Sequence, residues 1–143
     1  MKIILAFLII TSTLFASDSF YTIKYQILEK IFKNISMYEE MILWSDDKHL
    51  QDEFARNKTF KVASNCQDAS LVIIEDKKDI PKSCLDKAVF VLDYALLKEI
   101  PQSFGAMFWK KARPNIVIIR PRANVKQIYV SQTLKSYMED EIW

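Results

Sequence analysis

The sequence predicts a single α/β domain: a mixed sheet of five to six strands that ends in a β-hairpin and is flanked by helices. Three observations predict it. Residues 70–75 (Ser-Leu-Val-Ile-Ile-Glu) and 88–92 (Ala-Val-Phe-Val-Leu) are near-continuous apolar runs, the pattern of strands covered on both faces in a parallel sheet. Residues 19–35 carry apolar side chains at three- and four-residue steps, the pattern of a helix lying on such a sheet. Residues 103–120 are extended and apolar, with one polar break at Lys110–Asn115, which reads as a hairpin. The chain has 143 residues, half of them apolar and 27% charged, enough for one folded domain and too apolar for a disordered chain.

The elements follow in order. In the first helix, Phe20, Ile23, Ile27, Leu28, Ile31, Phe32 and Ile35 form the apolar face, and Ser17 or Ser19 can cap its start. Residues 41–44 (Met-Ile-Leu-Trp) read as a short buried strand. Ser45-Asp46-Asp47 then offers N-caps for a helix over about 47–57, with Leu50 and Phe54 inward. Residues 60–63 read as a brief strand. Residues 76–87 are polar and contain Pro81, and 93–97 read as one or two helical turns ending before Pro101. In the hairpin, Phe104, Ala106 and Phe108 fall on one side and Gly105, Met107 and Trp109 on the other, with a loop of about four to five residues. A closing helix is expected over 131–141, with Leu134, Tyr137 and Met138 inward.

The N-terminus points to a compartment. Lys2, the apolar run Ile3–Ile10, the small polar Thr11–Thr13 and Ala16 follow the order of a secretory signal peptide. Export is therefore expected, with residues 17–143 forming the mature domain in the periplasm. Removing 1–16 removes one lysine and no acid, so the net charge falls from +2 to +1. The distribution of charge is more informative than its sum. No acidic residue lies between Glu99 and Glu139, an interval that holds Lys110, Lys111, Arg113, Arg120, Arg122, Lys126 and Lys135. Residues 39–53 lean the other way, with six acids against Lys48. Such a two-sided pattern favours an interaction surface or an anion site.

Scarcity of certain residues excludes several chemistries. One glycine cannot build a dinucleotide-binding turn or a phosphate loop, which need several positions free of Cβ. One histidine and two cysteines cannot make a four-ligand zinc site without carboxylates. His49 lies beside Asp46, Asp47, Asp52 and Glu53, and the helix dipole accounts for acids at a helix start without any metal. No nucleophile–base pair is visible, and neither a cofactor nor a metal is expected. Cys66 and Cys84 each precede one of the apolar runs. If those strands are parallel neighbours, the two thiols share one sheet edge and can bridge in an exported protein. A structural staple and a redox-responsive bond both fit such a bridge.

Several of these segments, taken together, resemble a known family. They are Cys66-Gln-Asp-Ala-Ser-Leu-Val-Ile-Ile, the strand 88–94, Ser103-Phe104-Gly105-Ala106-Met107, a basic turn, Asn115-Ile-Val-Ile-Ile-Arg120 and a terminal amphipathic helix. In this order, after an N-terminal helix and a short strand, they resemble the YfiR-like family of small periplasmic proteins. Two departures stand out: Phe104-Gly105 where the family pattern has two adjacent glycines, and the strongly basic turn at 110–114. The resemblance implies a periplasmic inhibitor that binds the sensor domain of a membrane diguanylate cyclase, with disulfides that can respond to envelope redox state. The expectation is a non-enzymatic regulatory protein acting on a membrane-bound signalling protein. Lys110, Lys111, Arg113, Arg120 and Arg122 are its candidate partner- or anion-binding residues. The alternative is a small solute- or anion-binding protein that uses the basic hairpin. Peripheral membrane contact and a homodimer are further candidate associations, and export argues against nucleic acid.

Overall fold

The computed structural model describes residues 20–76, 78 and 80–142. The leader, the helix caps at Ser17 and Ser19 and the start of the mature chain lie outside the described residues. Helix α1 covers residues 20–33. There follow β1 (Ile35–Ser36), β2 (Ile42–Ser45), α2 (Lys48–Asn57), β3 (Lys61–Val62), a 3-10 turn (Cys66–Asp68), β4 (Leu71–Ile74), α3 (Lys82–Leu85), β5 (Ala88–Val91) and α4 (Leu96–Glu99). The chain continues through β6 (Ser103–Lys110), β7 (Arg113–Ile119), α5 (Arg120–Val125), β8 (Tyr129–Val130), a second 3-10 turn (Gln132–Tyr137) and β9 (Met138–Glu139).

The main sheet has seven strands in the order β3-β2-β4-β5-β6-β7-β9, rather than five to six. From β3 to β6 neighbouring strands are parallel. Strand β7 returns antiparallel to β6, and β9 runs parallel to β7. A separate antiparallel pair, β1-β8, ties the end of α1 to the segment after α5. The apolar runs are uninterrupted because both faces are covered. Leu71, Ile73, Ala88 and Phe90 pack in one core with α1 and α2. Val72, Ile74, Val89 and Val91 pack in the other with the Cys66 turn, α3 and α4. All eight side chains are buried.

Four local readings change. The buried stripe of α1 is Lys24, Tyr25, Leu28, Ile31 and Phe32, while Phe20 and Ile23 are 43% and 46% exposed. The helix is rotated from the face that its apolar residues alone suggest, because Lys24 finds a partner inside. Phe104 and Ala106 fall in different cores, because the β5–β6 register slips between Val89↔Ser103 and Phe90↔Gly105, leaving Phe104 as a bulge residue. Gly105 is required there, since a Cβ would lie 2.8 Å from the Val117 carbonyl oxygen and 3.0 Å from the Phe90 ring.

The hairpin loop is two residues, Lys111-Ala112, and Lys110 pairs with Arg113. Both loop residues have positive φ, 52° and 61°, as a type I′ turn requires to match the twist of the strands. Residues 131–141 do not form an α-helix. Leu134 is buried as expected, but a single anchoring side chain does not make an apolar stripe. The segment instead makes about two turns of 3-10 helix and joins the sheet edge as β9.

Candidate functional site

The parallel strands β2, β4 and β5 end together at Ser45, Ile74 and Val91. Strand β6 does not stop there. Val91 pairs with Ala106, and β6 continues to Lys110, an overhang of about 13 Å at the usual rise per residue. The carboxyl edge is thus a floor at the ends of three strands, with the hairpin standing above it.

The chain leaves β2 towards β3 on one side and reaches β4 on the other. That reversal is the place where open α/β sheets hold ligands, in the crevice beyond the strand ends. Here the crevice is filled by the chain itself. The Asp46 carboxylate accepts from the backbone N–H groups of Glu75 at 2.7 Å and Asp76 at 2.8 Å. Asp47 caps α2 by accepting from Leu50 N–H. Lys24 Nζ donates to Asp47 Oδ2 at 2.9 Å and lies 3.8 Å from Glu75 Oε1; the Lys24 and Asp47 side chains are each 7% exposed. Tyr21 stacks on His49 with ring centroids 4.3 Å apart, next to this pair.

The titration of these acids follows from their neighbours. Burial pushes the Asp46 carboxyl above its ordinary range, against the lowering effect of the two N–H groups it accepts from. Burial acts on Asp47 in the same sense, but the hydrogen bond and charge of Lys24 and the N–H groups of Leu50 and His49 outweigh it, so that carboxyl is lowered. Glu75 is raised, first by burial and then by the charges of Asp47 and Asp46, with Lys24 opposing.

The hairpin tip treats its charges differently. Lys110, Lys111 and Arg113 are exposed and take part in none of the ion pairs found among the described residues. Beneath them Trp109 is 37% exposed, and its ring lies 5.4 Å from that of Phe20. On the opposite face, Phe108 meets Tyr94 at 5.2 Å. Two grooves flank the hairpin, one of about 380 Å³ and one of about 600 Å³, and they share Asn115, Ile116 and Tyr137. The pair flanking a two-residue turn is the hydrogen-bonded one, so Trp109–Pro114 is a non-bonded pair. The ring nitrogen of Pro114 therefore faces the open edge of β7, where it supplies no donor to an added strand.

The five basic residues singled out in the sequence are not one cluster. Arg120 and Arg122 lie past the far end of β7, about 20 Å from the tip along the strand. Arg120 Nη1 donates to Asp140 Oδ1 at 2.9 Å. Arg122 Nη1 donates to the carbonyls of Leu97 at 2.7 Å and Ser103 at 3.1 Å. It clamps the end of α4 to the start of β6, and burial lowers its pKa.

Cys66 and Cys84 are joined in a disulfide, with Cα atoms 5.7 Å apart. Both are buried at the amino edge, opposite the hairpin tip. No group of three or more metal-ligating side chains occurs among the described residues. The Lys24–Asp47 pair and the Phe20–Trp109 contact were not read from the sequence. A lysine in register with Leu28 and Ile31 was the available signal for the first. The second joins residues 89 positions apart and left no local trace. The chain matches no protein-family model, and no curated protein matches it in sequence.

Proposed function

We propose that this protein is a non-enzymatic periplasmic regulator of the YfiR-like type. In this reading it modulates a membrane-bound signalling protein, a diguanylate cyclase or sensor kinase, by binding its periplasmic domain. One observation carries the reading. Between the ends of β2 and β4 the crevice where a sheet of this topology would hold a small ligand is closed by Asp46 and the Lys24–Asp47 pair, and the open groove beside it is lined mostly by acids, while exposed aromatic and basic groups gather on the protruding hairpin. Surfaces that combine aromatic and arginine side chains suit protein recognition. The disulfide supports export, since such bonds persist in oxidising compartments. The groove of about 600 Å³ beside Lys110 favours, as a second reading, capture of a small anion.

The test is capture by the tagged protein from cross-linked envelope extracts, together with second-messenger measurements in a deletion strain. A captured membrane cyclase or kinase, with altered cyclic dinucleotide level or kinase output on deletion, is expected. Capture of no signalling protein, with unchanged output, overturns the reading.

A further inference from the structure

The hairpin tip joins three features that occur together nowhere else among the described residues. Lys110, Lys111 and Arg113 are exposed cations, free of the ion pairs that hold Lys24, Lys33 and Arg120. Trp109 and the Phe20 ring that touches it place partly exposed apolar groups beneath them, with the exposed Ile23 one helical turn along from Phe20. Phe20 of α1 also touches Trp109, so helix and hairpin contribute to one patch.

We propose that this tip is a membrane-surface anchor. Trp109, Phe20 and Ile23 enter the headgroup boundary of a bilayer, and Lys110, Lys111 and Arg113 hold anionic phospholipid headgroups. Tryptophan is enriched at that boundary because its ring has an apolar body and a polar N–H. Clustered Lys and Arg bind anionic lipid surfaces without needing a shaped pocket. An acidic protein strand fits less well, because Pro114 blunts the free edge of β7 against strand addition.

Geometry also deals with the acids of the carboxyl edge. Glu75, Asp76, Asp93 and Glu99 line an open groove and would repel an anionic surface. The cations sit at the end of the hairpin overhang of about 13 Å, so lipid meets them before the acids, of which Asp93 shares a groove with Lys110.

The inference stands apart from the regulator reading, because lipid vesicles contain no protein partner. The experiment uses the protein recovered from the periplasmic fraction, with its N-terminus established by intact mass. Wild type and a Lys110→Glu, Lys111→Glu, Arg113→Glu variant with the same N-terminus are sedimented with two kinds of vesicle. One is equal parts phosphatidylglycerol and phosphatidylcholine, the other phosphatidylcholine alone. Wild type is expected to bind the anionic vesicles, to release them as salt rises, and to show a blue-shifted tryptophan emission that Trp109→Phe removes. Charge reversal is expected to weaken binding by more than about a hundredfold, because the loss of three cations alone accounts for that much and the new acids add repulsion. Equal binding to both vesicles overturns the proposal, as does undiminished binding by the folded variant. If the triple variant fails to fold, Lys111→Glu alone is read by the same salt series, and an unchanged salt dependence overturns it equally.

Discussion

The hairpin tip and the ends of β2 and β4 lie at the same edge of one sheet, and both are built from charged residues. They use charge in opposite ways. At the strand ends, Lys24 and Asp47 are buried against each other and Asp46 is spent on backbone N–H groups. Those charges hold the chain together and are lost to any outside ligand. At the tip, Lys110, Lys111 and Arg113 stand in water on a two-residue turn. Charge density in the sequence therefore does not locate a binding surface; the satisfaction of each charge inside the fold does. Arg122 makes the same point, since it belongs to the basic interval yet is committed to the carbonyls of Leu97 and Ser103.

The comparison predicts very different responses to substitution. Lys24→Met should have the largest effect, about 3–5 kcal/mol, because it leaves Asp47 buried without its partner. Adding Asp47→Asn, which keeps a cap for α2, should recover part of the loss. Urea unfolding measures both. The sign with pH is fixed by the lowered Asp47 carboxyl. Its contribution is present above its ordinary value of 3.8 and is lost as pH falls through the folded value. The gap between wild type and Lys24→Met should therefore close in acid. A gap that persists there would show that Lys24 stabilises the fold through something other than its pairing with the Asp47 carboxylate. Asp46 and Glu75, whose folded values are raised, act in the opposite sense and favour the folded state at low pH.

Next in size is the staple at the amino edge. Cys84→Ser opens a bond that spans 18 positions and should lower stability by about 3 kcal/mol in the chain-entropy view. Thermal unfolding of the oxidised protein and the variant tests this. It also calibrates the ion pair against a covalent link on the same sheet.

Smaller effects belong to the tip. Ala112→Gly relieves a left-handed residue that carries a Cβ and should stabilise by about 1 kcal/mol. A loss instead would mean that the turn is held by contacts of the alanine methyl. Lys111→Glu with Arg113→Glu should change folding stability least, by roughly 0.5 kcal/mol or less for exposed sites. A large loss on urea unfolding would break the contrast, because it would make the tip charges structural after all.

Much of the fold was legible along the chain. The runs at 71–74 and 88–91 announced a covered parallel sheet, Leu50 and Phe54 marked the inward face of α2, and the positions of Cys66 and Cys84 before their strands led to the disulfide. These are local patterns, and burial on both faces or one face writes itself into residue order through the periods of strand and helix. The leader lies outside the described residues and remains a reading of the sequence alone.

Only the tertiary structure decided the rest, because it depends on contacts between distant residues. The rotation of α1 follows from Lys24 meeting Asp47, 23 positions away. The bulge at Phe104 follows from the fit of Gly105 under the Val117 carbonyl. Residues 138–139 became a strand because β7 offered them a ladder, a bond partner that no local propensity encodes. The division of the basic interval into free and committed cations has the same cause: Lys110 and Arg122 are alike in sequence, and they differ in which carbonyl or carboxylate the fold brings within reach.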